Sequence, residues 1–153
     1  MRINRRSLFL APLTLLLAPF GASAVRAHSY IFGKIEIGHP WAQPSTSDVA
    51  AVFIALANMG DKPDRLTGAA TPIANAVLFQ DYGNHPVDAF DLPVKQPVAL
   101  RPGGRRIVLQ SSKRKLAVGD NFPLTLRFAN AGETMVMVLV ERGPAEPTTT
   151  PAH

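Results

Sequence analysis

The chain has 153 residues, of which 46% are hydrophobic, with a formal net charge of +5 and no cysteine. Its length suits a single domain with its own core. The lack of cysteine excludes disulfide bonds and thiolate metal ligands. The 14 prolines and 11 glycines divide the sequence into short segments, and this punctuation disfavours long helices.

Residues 1–27 have the layout of a secretory signal peptide. Arginines near the start precede an almost wholly apolar run from Leu8 to Phe20, and small residues follow as far as Ala27. The run is shorter than the roughly 20 residues of a membrane span, so cleavage is favoured over an uncleaved anchor. The adjacent Arg5 and Arg6 fit either a twin-arginine or a general secretory signal. Both routes predict a periplasmic protein with no transmembrane span after cleavage.

Cleavage changes the charge of the chain. The leader carries four of the 16 basic residues and none of the 11 acidic ones, which leaves 12 basic against 11 acidic side chains and a formal charge of +1. A nucleic-acid-binding domain needs a basic footprint on its folded surface. We therefore expect no nucleic-acid partner.

Short strands between turn residues fill the mature sequence from residue 28 to residue 143. In chain order, the predicted strands cover residues 31–37, 50–58, 65–69, 74–81, 98–100, 106–110, 122–128 and 133–140. The clearest is Phe122–Phe128, where apolar residues alternate with Pro123, Thr125 and Arg127. Seven or eight such strands predict an all-β fold, a single antiparallel β-sandwich domain.

Two further segments complete the predicted organisation. Pro102-Gly103-Gly104 predicts a tight turn leading into the strand at residues 106–110, because Pro and Gly favour the backbone angles of turns. Residues 144–153, with three prolines and three threonines, predict a disordered tail.

A set of short motifs occurs in one order along the mature chain. These motifs are His39-Pro40-Trp41-Ala42, Ala51-Val52-Phe53 through Asn58-Met59-Gly60, Asp64-Arg65-Leu66, Leu100-Arg101-Pro102-Gly103-Gly104, Leu116-Ala117-Val118-Gly119-Asp120, Pro123-Leu124-Thr125-Leu126-Arg127-Phe128 and Ala131-Gly132-Glu133. As an ordered set over roughly residues 28 to 140, they resemble the periplasmic copper chaperones of the PCu(A)C type. The resemblance implies a cupredoxin-like β-sandwich that binds copper and delivers it to cytochrome c oxidase.

The resemblance also implies where the copper ligands should lie. Family members hold Cu(I) with two histidines and two methionines, and soft thioether sulfur suits that ion. Three of these positions correspond to Gln80, Arg106 and Val108, and the remaining methionine has no counterpart in the shortened segment 81–91. The Arg106 guanidinium is cationic and has no lone pair to donate. We therefore expect the usual Cu(I) site to be degenerate in this chain.

Four histidines are candidate substitutes. Cleavage after Ala27 would make His28 the amino-terminal residue, whose α-amine and imidazole could chelate one copper ion, preferably Cu(II). A loose, exposed terminus is the alternative. His85 is either a substitute ligand or a solvated residue of its hairpin, and His39 is expected to be a packing or turn residue. His153, in the predicted tail, could assist metal capture only transiently.

Other candidate groups have structural alternatives. Met135 and Met137 could bind Cu(I), but they are expected to fill the core. The basic residues within 101–106 and 113–115 could form a patch for an acidic protein or for anionic lipid headgroups. The alternative is a solvated face.

Two functions stay open. The sequence lacks a Gly-x-Ser-x-Gly motif and a phosphate-binding loop, so no enzymatic activity is expected. The first function is a periplasmic copper-chaperone-like protein with a rebuilt site that includes His28 and His85, acting with cytochrome c oxidase assembly proteins. The second is a metal-independent interaction module that retains the scaffold and binds another periplasmic protein or lipid around Arg105 and Arg106.

Overall fold

The computed structural model describes residues 29–143. The predicted signal peptide, His28, the predicted tail and His153 lie outside the described residues. The described strands are β1 Ser29–Phe32, β2 Ile35–Ala42, β3 Ala50–Asn58, β4 Asp64–Ala70, β5 Ala74–Gln80, β6 Pro86–Val87, β7 Phe90–Leu92, β8 Pro97–Ala99, β9 Arg106–Ser112, β10 Asn121–Phe128 and β11 Gly132–Val140. A single 3₁₀ turn, Tyr82–Asn84, connects β5 to β6.

The strands form one sheet that folds over on itself as a β-sandwich. The strand order is β6-β5-β9-β3-β2-β11-β10-β4-β7, with β1 added beside β2 and β8 beside β3. Among the paired strands of this region, only β11 and β2 run parallel, at Leu139 with Trp41 and Val140 with Ala42. The prediction of an all-β antiparallel sandwich is confirmed. No helix within residues 29–143 is long and apolar enough to cross a membrane.

Inward-facing side chains of both halves of the sheet form one core. In β10, Phe122, Leu124, Leu126 and Phe128 are all buried, as their alternation predicts. Each fully buried side chain of this size stabilises the fold by roughly 1.5–3 kcal/mol relative to an exposed one. The core also includes side chains from β2, β3, β5 and β9, so the outer faces of these strands remain available for a functional site.

The predicted first strand is in fact a hairpin. β1 and β2 replace the single strand predicted over residues 31–37, and Tyr30 pairs with Ile37. The chain reverses at Gly33, whose φ is +59°, a conformation that glycine adopts without steric cost. Gly33, an isolated glycine within the predicted strand, is the sequence signal for this chain reversal.

The prediction that Met135 and Met137 fill the core is wrong. Their side chains are 60% and 40% exposed. β11 turns Val136, Val138 and Val140 inward, and the period of two places the methionines on the opposite face. β11 is therefore apolar on both faces because its valines form part of the core and its two methionines are exposed to solvent.

Two buried polar side chains hold the turns of the scaffold. Asp64 is 5% exposed, and its carboxylate accepts backbone N–H groups of Arg65, Asn130 and Ala131 at 2.7, 2.9 and 2.9 Å. Asn58 similarly donates its amide to two backbone carbonyls and accepts from the N–H of Gly60. These two motif residues therefore stabilise the fold by hydrogen bonding to the backbone of its turns.

Candidate functional site

The three predicted ligand positions lie together on the outer face of β5 and β9. The antiparallel register pairs Gln80 with Arg106 and Leu78 with Val108. Ile107 points into the core, so its neighbours on either side face outward. Arg106 Nε donates a hydrogen bond to Gln80 Oε1 at 3.1 Å. The positions are therefore adjacent, and two of them bond to each other.

The Pro-Gly-Gly turn places Arg106 at the start of β9. The Gly104 N–H donates to the Arg101 carbonyl at 3.0 Å, and Gly103 has a φ of +74°. This pattern, with proline at the second position, is that of a type II turn. A Cβ at Gly104 would lie 3.3 Å from the Tyr82 ring. The positive φ of Gly103 and the close approach at Gly104 together explain why glycine occupies both positions.

The donor chemistry at these positions is unlike that of a Cu(I) site. Arg106 offers only N–H donors, and Val108 offers no donor atom at all. The Gln80 oxygen already accepts from Arg106 and is a harder ligand than the thioether and imidazole groups that suit Cu(I).

A polar cleft of about 480 Å³ surrounds Arg106. Its lining residues are Gln43, Pro44, Ser45, Val49, Ala50, Ala51, Gln80, Asn84, Arg106, Val108 and Gln110. Arg106 is the one charged side chain among these described residues, and the other polar side chains of the lining are neutral amides and a hydroxyl. The cleft therefore carries a local positive charge.

His85 lies in the short connection between β5 and β6 and is exposed. Its backbone carbonyl accepts the N–H of Asp81 at 2.8 Å. Within residues 29–143, no three His, Asp or Glu residues are close enough together to hold a metal ion. The structure therefore does not place His85 in a ligand set of this kind.

His39 lies at an irregular point of β2 on the outer face. The register of β2 with β3 shifts between Gly38 and Trp41, so His39 and Pro40 form a β-bulge, and His39 has a φ of +37°. Non-glycine residues rarely adopt positive φ, and such strain and such bulges concentrate at functional sites. A proline inside a predicted strand was the sequence signal for this bulge.

A carboxylate fixes the His39 ring. The Glu141 carboxylate accepts a hydrogen bond from His39 Nε2 at 2.5 Å, and both side chains are about 30% exposed (31% and 27%). Metal-binding histidines commonly donate one ring nitrogen to a carboxylate in this way. A packing or turn residue is the expectation from the sequence at this position. The structure places His39 at a bulge, and no sequence signal predicts its pairing with Glu141.

The basic residues do not form one surface. Arg105 Nε lies 3.4 Å from Asp81 Oδ1, its guanidinium lies 5.9 Å from the centre of the Tyr82 ring, and it lines a separate cleft together with Arg101. Arg106 faces the other cleft. Arg105 and Arg106, which the second hypothesis assigns to one surface, therefore line two different clefts.

Comparisons at the level of sequence identify relatives over most of the domain. The family described as "Putative lipoprotein LpqE-like" matches residues 35–140. "Putative lipoprotein Lxx21020" from Leifsonia xyli subsp. xyli is 24% identical over 115 residues, which cover 70% of this chain and 69% of that protein.

Solved structures share the architecture. The copper-bound PCuAC domain from PmoF2 is 32% identical with a TM-score of 0.70, covering 76% of this chain and 99% of that domain. The apo PCuAC domain from PmoF1 is 29% identical with a TM-score of 0.71, over 76% and 100%. The Cu(I) form of DR1885 from Deinococcus radiodurans is 25% identical with a TM-score of 0.58, over 67% and 74%.

Proposed function

The chain belongs to the LpqE-like family and has a PCuAC-type domain, and from this premise we propose that it is an exported copper-chaperone-like protein whose copper site differs from the family's usual one. Copper is its cargo, and the resemblance to PCu(A)C proteins supports delivery to cytochrome c oxidase through assembly proteins. The signal-like residues 1–27 support a periplasmic location.

The observation that carries the proposal is the Arg106–Gln80 pair at the usual ligand positions. A guanidinium in a cation site repels the ion and coordinates nothing, and its hydrogen bond occupies the amide oxygen of Gln80. Val108 adds no donor. We therefore infer that Cu(I) is not held on the outer face of β5 and β9, and that the cargo binds elsewhere on the scaffold.

The proposed replacement combines His39 with the amino terminus. Ser29, the first described residue, pairs with Gly38, which immediately precedes His39 in the β1–β2 hairpin. In this proposal, cleavage after Ala27 makes His28 the amino-terminal residue, and its α-amine and imidazole bind the same copper ion as His39. Three nitrogen donors suit Cu(II) better than Cu(I).

Glu141 supports this assignment through its bond to His39. Because Nε2 of His39 is paired with the carboxylate, Nδ1 is the ring atom that would coordinate the metal. A carboxylate behind a histidine ligand fixes the ring orientation and raises its basicity. His85, the other substitute named from the sequence, has no comparable partner among the described residues and becomes the matched control.

The tests are titrations of the mature protein with Cu(II) and, anaerobically, with Cu(I), each against a competing chelator. We expect one Cu(II) ion to bind, a loss of affinity of about 100-fold or more in His39→Ala, and no change in His85→Ala. A loss in His85→Ala with no loss in His39→Ala would overturn the assignment. Absence of even micromolar binding of either ion would end the copper proposal.

A metal-independent interaction module is the second candidate, and the same Arg106–Gln80 pair favours it. This function predicts no copper binding in those titrations and a partner that binds the outer face of the sheet.

The matched family and relative are described as lipoproteins, but the 153 residues contain no cysteine, so none of them can carry a thiol-linked lipid.

A further inference from the structure

The cleft around Arg106 has the composition of an anion site. Its volume of about 480 Å³ lies within the range of roughly 300–1,000 Å³ typical of small-ligand pockets. Side-chain amides of Gln43, Gln80, Asn84 and Gln110 line it, and amides are donors as well as acceptors. No acidic side chain is among the described residues that line it.

Arg106 keeps unused hydrogen-bonding capacity toward this cleft. A guanidinium has five N–H donors, and within the described region only its Nε bonds to another side chain, Gln80 Oε1. That bond holds the guanidinium plane while leaving the two terminal nitrogens to face a ligand. A planar pair of N–H donors matches a carboxylate in bidentate geometry.

Two exposed arginines on β4 and β10, in the other half of the sheet, provide the contrast. Arg65 pairs with Asp91 at 2.8 Å, and Arg127 pairs with Glu133 at 3.0 Å. Arg106, which is half-buried, has a neutral amide where these exposed arginines have a carboxylate. A partly desolvated cation without a counter-ion attracts an anion more strongly than an exposed, paired cation does, so an anionic ligand would be stabilised here.

We propose that this cleft binds a small organic carboxylate, with Arg106 as the bidentate anchor and the surrounding amides as secondary donors. The single positive charge favours a singly charged carboxylate group over a phosphate, which carries more charge at neutral pH and usually requires further cations. A position that the resemblance assigns to a copper ligand would thereby serve as an anion site. This inference does not depend on copper binding at His28 and His39.

The test uses ¹⁵N-labelled mature protein titrated with acetate, succinate and inorganic phosphate at constant ionic strength and pH. We expect saturable shifts of the Arg106 Nε–H and of the Gln80 and Gln110 side-chain amides with a carboxylate, and weaker effects with phosphate. Arg106→Gln should bind at least tenfold more weakly, and Arg106→Lys should retain part of the affinity because it keeps the charge but loses the fork.

Arg127→Gln is the matched control because it removes an exposed arginine from the same sandwich, and its titration should equal that of the wild type. Dispersed spectra of Arg106→Gln and Arg106→Lys establish that each variant is folded. Absence of saturable shifts, unchanged affinity in folded Arg106→Gln, or stronger phosphate than carboxylate binding would each overturn the proposal.

Discussion

Single polar residues give two of the sequence motifs a structural role. The Asp64 carboxylate accepts three backbone N–H groups and so ties the start of β4 to the turn between β10 and β11. Asn58 ties the end of β3 to the following loop and to β7. The sequence placed these residues in motifs, but their partners lie up to 67 residues away, beyond the reach of local patterns.

Asp64→Asn tests this architectural role. One carboxylate oxygen becomes an NH₂ group facing a backbone N–H, so a buried donor loses its acceptor and the free energy of unfolding should fall by about 1–3 kcal/mol. Urea denaturation measures the change. Asp91→Asn is the control, because its exposed pair with Arg65 is worth about 0–1 kcal/mol; equal losses in the two variants would contradict the role of Asp64.

The sequence predicts the chemistry of a position only where the type of amino acid alone determines it. Arg106 cannot ligate copper in any fold, so that part of the site could be anticipated without coordinates. His39 and Glu141 are 102 residues apart, and neither residue type by itself predicts that they form a pair. Their contact depends on the parallel pairing of β11 with β2, which no periodicity argument predicts.

At the scale of elements, β5 and β9 still have the register that a shared ligand site needs. Gln80 pairs with Arg106, and Val108 lies two residues further along the same outer face. The strand alternation made this juxtaposition predictable. The β1–β2 hairpin and the exposed face of β11 were not predicted, because short apolar runs do not reveal which side of a strand meets the core.

The intact register predicts that the usual ligands can be restored. The variant Gln80→His, Arg106→His and Val108→Met places two imidazoles and one thioether on one face, and we expect its Cu(I) affinity to rise at least about tenfold over that of the wild type. Anaerobic chelator competition gives the affinity. Gln80→His alone, which retains the Arg106 cation, should gain little; a folded triple variant with no gain would show that more than these side chains separates this domain from a Cu(I) site.

At the scale of the whole molecule, the buried core and the two proposed sites lie on opposite sides of the same strands. One core lies between the two halves of the sheet. The Arg106 cleft and the His39 bulge both lie on the outer face of the half-sheet formed by β5, β9, β3 and β2. Trp41 and Phe53, with ring centres 4.6 Å apart, pack between β2 and β3 on that face. The all-β fold followed from strand spacing and turn residues, whereas the division of this face into two sites required the three-dimensional register.

The central claim is that copper binds through the free α-amine and imidazole of His28 together with His39. The most direct measurement is an electron paramagnetic resonance titration with Cu(II) of the mature chain beginning at His28, compared with the same chain acetylated at its α-amine. We predict nitrogen coordination of one Cu(II) ion in the first protein and a loss of affinity of about 100-fold in the second, because acetylation converts the amine into an amide that no longer donates a free lone pair. Identical affinities and spectra for the two proteins would contradict the account.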